Sequence, residues 1–271
     1  MFPGAAADPE DAAYAVVGAP LDASTTGRPG TRYGPREVRQ AAAHFEDFDH
    51  HTGLTFSDCA VHDAGDIDPT DDVEEYLTYL EGGLGDYRAD GVVPLLVGGE
   101  HTVTVAAVRA LAPDVVVCLD AHLDLRESYA GNPLSHATAM GHALETGADV
   151  VVLGGRAGSE NEWERADRED VTVVPPADVP EWDPDLSGRV YLSVDIDAAD
   201  PGFAPGTGTP EPFGLTPTTM HDVVRRVAPG AVGFDVVEVN DRDDGQAATL
   251  GATLLRAFVY AHASESSPSP R

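Results

Sequence analysis

The chain has 271 residues, 42% of them hydrophobic, with 47 acidic residues against 16 basic ones and a formal net charge of −31. Every basic residue is Arg, and Lys is absent. Nucleic-acid binding needs a basic footprint and is excluded; no apolar run is long enough to span a membrane, which excludes an integral membrane protein of the helical kind. The acids are spread along the chain, so they repel one another in ordinary salt. In molar salt the Debye length falls to about 3 Å and that repulsion is screened, so the composition reads as adaptation to a salty cytoplasm. The opening MFPGAAADPEDAAY has neither the basic nor the apolar region of a secretion signal, and a soluble cytoplasmic protein is expected.

In chain order, short β-branched runs alternate with helix-like stretches. A strand at 13–19 (AYAVVGA) precedes a helix at 34–45, and a strand at 59–65 (CAVHDAG) precedes a helix at 71–90. The strand at 92–99 (VVPLLVGG) leads to a helix at 101–112, and 114–121 (DVVVCLDA) to a helix at 135–147. Then come strands 150–155 and 171–175 with a helix at 160–170 between them, strand 189–195 (RVYLSVD), helix 216–228, strand 231–239 (AVGFDVVEV) and helix 245–262. Continuous apolar strands separated by helices predict an α/β fold, a three-layer α-β-α sandwich around a mostly parallel sheet of about eight strands. No linker divides the chain, so residues 1–262 read as one catalytic domain and 263–271 (ASESSPSPR) as a disordered tail. Cys59 and Cys118 read as buried free thiols.

Ligands of an open parallel sheet bind beyond the carboxyl ends of its strands. Four predicted strands end in chemically capable residues there: His101 after VVPLLVGGE, then Asp120, His122 and Asp124 in DAHLD, then Asp195, Asp197 and Asp200 in DIDAAD, and Glu238 after GFDVV. Each piece alone has a plain alternative. A single His caps helices, Asp124 can do the same, and paired aspartates can be a solvated strand end. Asp-x-His-x-Asp at a strand terminus can instead aim three ligand atoms at one centre. Four clustered carboxylates repel one another unless a cation stands among them. The set His101, Asp120, His122, Asp124, Asp195 and Asp197 is too oxygen-rich for structural zinc and too nitrogen-rich for calcium. It suits Mn²⁺, and six ligands with several carboxylates able to bridge suggest two ions, roughly 3.5–4 Å apart in two-metal sites generally.

The segments GGEHT, DAHLD and SVDIDAADPGFAPGTGTPEP resemble the metal signatures of the ureohydrolase family of arginases, agmatinases and formimidoylglutamases. GAPLDASTTGRPGTRYGPREVR is similar to that family's first strand, loop and helix, and FDVVEVND to its last strand. The resemblance runs from about Gly18 to Tyr260 and is greatest to archaeal agmatinases. It departs from the family at Glu100, where Asp is usual, and at Thr102, where Ser is usual. The resemblance implies two Mn²⁺ per subunit, with Asp120 and Asp195 bridging, His101 and Asp124 completing one site, and His122 and Asp197 the other. Asp200 becomes a supporting residue, Glu238 the partner of the substrate guanidinium, and His136 a proton shuttle. It also implies a homo-oligomer, a trimer or hexamer.

Guanidinium is a poor electrophile, and metal activation of water supplies the strong nucleophile its hydrolysis needs. Glu238 is expected to hold the cation, and Asp124 to pass the proton to the leaving amine. The favoured substrate is agmatine, giving putrescine and urea, and the acidity of the chain suits such a dication. Arg126, on the entrance loop 125–135, is the residue that would instead suit a carboxylate-bearing substrate such as formimidoylglutamate or guanidinobutyrate; arginine is a further alternative. A two-metal phosphoesterase would need basic phosphate clamps, which are scarce near the motifs. An inactive metal-binding regulatory relative would not need Glu238 and His136 as well as all six ligands.

Overall fold

A computed structural model of the protein describes residues 1–184, 186–240 and 242–266. All eight predicted strands form: β1 (Tyr14–Ala19), β4 (Val61–Asp66), β5 (Val93–Gly98), β6 (Val115–Leu119), β7 (Asp149–Leu153), β8 (Val171–Val174), β9 (Val190–Asp195) and β10 (Ala231–Val237). They make one sheet in the order β4-β1-β5-β10-β9-β6-β7-β8, with every neighbouring pair parallel. The helices are α1 (Gly34–Ala42), α2 (Val73–Ala89), α3 (Val103–Leu111), α4 (Ala139–Glu145), α5 (Glu160–Ala166), α6 (Pro217–Val227) and α7 (Gln246–Ser266). A two-residue-per-strand hairpin, β2 (Phe48–Asp49) with β3 (Leu54–Thr55), is additional to the expected elements. Helix α7 covers the first four residues of the segment expected to be a disordered tail; the rest of that segment lies outside the described residues.

Strand residues alternate between two cores because successive side chains leave a strand on opposite faces. Val16, Leu95, Val97, Val117, Leu192, Val194 and Phe234 join α1, α6 and α7 on one face. Val17, Leu96, Val116, Cys118 and Tyr191 join α2, α3 and α4 on the other. This is the expected three-layer architecture. The strands that supply candidate site residues, β5, β10, β9 and β6, are consecutive in the sheet and central. Side chains from four distant stretches of sequence are thereby delivered to one edge.

The turn after β5 is held tightly. The Gly99 and Glu100 N–H groups donate to Ala19 and Leu21 carbonyls at 2.7 and 2.9 Å. A Cβ on Gly99 would stand 1.9 Å from the Leu21 oxygen, so only glycine lets the chain after β1 approach here. Among the described residues no helix is long and apolar enough to cross a membrane.

Candidate metal centre and active site

All six candidate ligands converge. His101 is fully buried, and its Nδ1 lies 2.9 Å from Asp124 Oδ2, 3.2 Å from Asp120 Oδ2 and 3.5 Å from Asp195 Oδ2. On the other side of Asp120, His122 Nδ1 lies 2.9 Å from Asp197 Oδ2 and 3.7 Å from Asp120 Oδ1. Asp120 thus turns one oxygen to each imidazole, the arrangement expected of a bridging carboxylate. Asp195 turns Oδ2 to His101, while its Oδ1 accepts the Asp197 N–H at 2.8 Å. Asp124 stands at a positive φ of 50°, which Asp tolerates better than most residues.

Three oxygens surround His101 Nδ1 within 3.5 Å, yet none lies in line for a hydrogen bond, and Nδ1 is without a hydrogen-bond partner. Atoms about 2.1 Å from a shared octahedral ion stand about 3 Å from one another, so these separations suit a common ion better than direct bonding. The proton on the ring can be located from its other edge. Ser193 Oγ donates to Asp235 Oδ1 at 2.6 Å, so it must accept from His101 Nε2–H at 3.1 Å. In the neutral ring that leaves a lone pair on Nδ1, facing the carboxylates.

The charges agree with the geometry. Burial, then the charges of Asp197 and Asp120, push Asp195 well above the usual carboxylate range. Burial and Asp120 raise Asp124 as well. Burial would lower His122, but Asp197 and Asp120 outweigh it and raise it strongly. The cluster is short of positive charge, which a divalent cation would supply. Among the described residues, two groups have ligand atoms close enough to hold an ion: Asp120, His122 and Asp197, and His101, Cys118 and Asp120. Cys118 Sγ lies 3.8 Å from both His101 Nε2 and Asp120 Oδ2, and burial raises its pKa strongly. It packs as a neutral thiol.

Glu238 follows β10, between the strands bearing His101 and Asp195, and has a positive φ of 61°. Its Oε1 accepts the His101 N–H at 2.9 Å and lies 3.7 Å from His136 Nδ1. Burial pushes Glu238 well above the usual range, against the His101 N–H and with help from Glu100 and Asp197. A cation beside it reverses that shift. His136 is nine-tenths buried and its Nε2 lies 3.1 Å from Thr26 Oγ1.

Residues 12–260 match the profile of the Arginase family. The chain belongs to the arginase family. It is a ureohydrolase, a hydrolase of carbon–nitrogen bonds in linear amidines. It superposes on the crystal structure of agmatine ureohydrolase of Thermoplasma volcanium with a TM-score of 0.92 and 36% identity, covering 97% of this chain and 94% of that one. It is 31% identical to the agmatinase of Pyrococcus horikoshii, over 93% of this chain and 92% of the relative. It is 34% identical to the N(1)-aminopropylagmatine ureohydrolase of Thermococcus kodakarensis, over 92% and 90%.

The remaining sequence-predicted residues of this arginase-family chain lie around the centre in supporting positions. Asp200 accepts from the Gly202, Phe213 and Gly214 N–H groups at 2.7–3.1 Å, closing the loop after Asp197. Arg126 faces away into an ion pair with Glu162 at 3.1 Å, its guanidinium 5.2 Å from the Tyr129 ring centre. Glu100 is wholly buried, with Thr102 Oγ1 donating to it at 2.7 Å.

Three supporting residues escaped the sequence reading. Asp235, fully buried, accepts from Thr104 Oγ1, Tyr191 OH and Ser193 Oγ at 2.8, 2.7 and 2.6 Å. Ser193 links it to His101. The available signal was one acid and one hydroxyl inside otherwise apolar strands, GFDVV and VYLSV. The third, Arg156, donates to carbonyls of Gly154, Asp197, Ala198, Ala199, Glu211 and Pro212, fixing the turn that carries Asp197. Its context LGGRAG gave no sign of this.

Proposed function

We propose that the chain is a manganese-dependent agmatinase, cleaving agmatine to putrescine and urea. His101, Asp120, His122, Asp124, Asp195 and Asp197 hold two Mn²⁺, and residues 1–262 act as one catalytic domain. Four carboxylates balance the charge of two divalent ions. The observation that carries the metal reading is the ring of carboxylate oxygens around the unbonded Nδ1 of His101. The observation that favours agmatine is Arg126. It is the entrance-loop cation suited to a substrate carboxylate, and it is already committed to Glu162 and Tyr129. The Pyrococcus horikoshii relative is named an agmatinase and the superposed structure an agmatine ureohydrolase, while the Thermococcus kodakarensis relative is named for N(1)-aminopropylagmatine.

When bound, the metal pair would supply Lewis acidity, lowering the pKa of water toward about 7. The protein does the rest. Glu238 pairs with the guanidinium by charge-assisted hydrogen bonds and fixes the attack geometry. Asp124 accepts the proton of the attacking water and delivers it to the departing amine nitrogen. His136, beside Glu238 and near the surface, exchanges protons with solvent. Assembly of the chain into a trimer or hexamer in the cytoplasm accompanies this reading.

Urea release is measured with Mn²⁺ and a panel of agmatine, N(1)-aminopropylagmatine, guanidinobutyrate, arginine and formimidoylglutamate, the last followed as formamide. Release from agmatine and not from arginine is expected. Turnover of a carboxylate-bearing substrate alone overturns the choice of agmatine, and no turnover of any member overturns the manganese-hydrolase reading.

A further inference from the structure

We propose that Glu100 is a positioning residue for His136, acting through the segment Ser24–Thr26. Glu100 lies between Gly99 and the candidate ligand His101, and its side chain is fully buried. Its Oε2 accepts three successive backbone N–H groups, those of Ala23, Ser24 and Thr25, at 2.7, 2.6 and 3.1 Å. Consecutive N–H groups gathered on one anionic oxygen form a nest. Its Oε1 accepts from Ser24 Oγ and Thr102 Oγ1, both at 2.7 Å. The carboxylate is therefore met by dipoles, and what those dipoles belong to is chiefly the loop after β1.

That loop carries two contacts to His136. Ser24 has a single hydroxyl proton, and it is spent on Glu100. Its oxygen is thereby an acceptor, and it takes the His136 backbone N–H at 2.9 Å. His136 begins the short helical turn His136–Thr138, and the first N–H groups of a helical turn have no partner within it. Ser24 supplies that partner from 112 residues away. Two residues along, Thr26 Oγ1 meets His136 Nε2 at 3.1 Å. The imidazole is held at both ends of its task, by Thr26 at Nε2 and with Nδ1 3.7 Å from Glu238 Oε1. One carboxylate thus fixes the direction of the Ser24 hydroxyl, the path of the loop and the seat of His136. The role of His136 in proton transfer rests on the guanidino-hydrolase reading; the seating itself does not.

Glu100→Gln keeps the volume and alters the pattern. With its oxygen toward the three N–H groups, the amide nitrogen faces Ser24 and Thr102. Both hydroxyl protons then lose their acceptor, and the Ser24 seat loosens. Ser24→Ala removes the seat and leaves the nest of backbone N–H groups in place.

The test uses the full-length, Mn²⁺-loaded protein. Kinetics with agmatine are measured for Glu100→Gln, Ser24→Ala, His136→Ala and the two doubles that combine His136→Ala with each of the others. Alongside, the Cε1–H signal of His136 is followed by NMR in the metal-free protein, where Mn²⁺ does not broaden it. The expected result is a fall in kcat of about 10- to 100-fold with KM within about twofold, the range seen when the partner of an active-site group is lost. No further fall is expected in the His136→Ala background, and the His136 signal shifts and broadens in both single variants. Should Glu100→Gln not fold, Ser24→Ala carries the same expectations. Losses that multiply with that of His136→Ala, or a His136 signal identical to the parent's, overturn the proposal. If the parent hydrolyses no guanidino compound, the functional reading fails, and the NMR signal alone decides the seating.

Discussion

Replacing Ser193 with Ala removes one oxygen and exposes how the proton on His101 is placed. In the parent the Ser193 hydroxyl spends its proton on Asp235, so its oxygen accepts from His101 Nε2–H at 3.1 Å. Ser193 is completely buried, so solvent does not fill the gap. After Ser193→Ala the proton has two places to go. Left on Nε2, it is a buried donor with only the weak sulfur acceptor of Cys118 at 3.8 Å, at a cost of about 1–3 kcal/mol. Moved to Nδ1, it finds Asp124, Asp120 and Asp195 oxygens 2.9–3.5 Å away, and it occupies the lone pair that a metal needs. Either route weakens ion binding, by an expected 10- to 100-fold, which is about 1.4–2.7 kcal/mol. The measurement is a titration of metal-free protein with Mn²⁺ against a chelating indicator, with circular dichroism to confirm the fold. A dissociation constant within twofold of the parent's would show that Ser193 does not set the tautomer, and would refute the reasoning.

Asp120→Ala is expected to abolish urea release and Mn²⁺ retention together, because Asp120 offers an oxygen to each half of the cluster; full activity of that variant removes its bridging role. The pair of Arg39 with Asp63, 2.9 Å apart and almost wholly buried, holds the Asp63 carboxyl below the usual range, Arg39 and the Gly65 and Phe2 N–H groups together outweighing burial. A folded pKa lower than the unfolded one contributes stability above about pH 4 that is lost as pH falls through the folded value. Thermal midpoints from pH 7 to pH 3 should fall less steeply in Asp63→Asn than in the parent, and Asp63→Ala should cost about 1–3 kcal/mol, because the buried guanidinium loses two hydrogen bonds but keeps its pair with Asp66; equal slopes contradict the assignment. Arg126→Ala should leave agmatine turnover within about twofold and cost at most about 1 kcal/mol of stability, since its ion pair is partly exposed; a tenfold rise in KM would make it a substrate contact. Raising KCl from about 0.1 M to about 1 M, which shortens the Debye length from about 10 Å to about 3 Å, should raise the melting temperature, and a flat or falling curve counts against salt adaptation.

The eight strands were legible because β5, β6, β9 and their neighbours are nearly continuous apolar runs, as strands covered on both faces must be. The candidate ligands were legible for a related reason. An abrupt change from β-branched residues to Asp and His marks where a strand leaves the core. The β2–β3 hairpin was not, because two residues per strand give no period to read. Nor were the partners of the site. Ser193 and His101 are 92 positions apart and Glu100 and Ser24 are 76 apart, and only the sheet order brings them together. Arg156 works entirely through backbone carbonyls, which leave no trace in side-chain identity. Arg126 was ambiguous as a residue type, and its committed partners became visible only through Glu162.

The order of the sheet also says which parts of the molecule the chemistry can spare. His101, Glu238, Asp195 and Asp120 hang from the four consecutive middle strands, whereas β4 and β8 are the outermost members. Transient fraying at either rim exposes backbone amides to exchange without moving any of these candidate site groups. Opening of any one middle strand dismantles the whole constellation. Exchange protection and activity should therefore part company at the rims and vanish together at the centre.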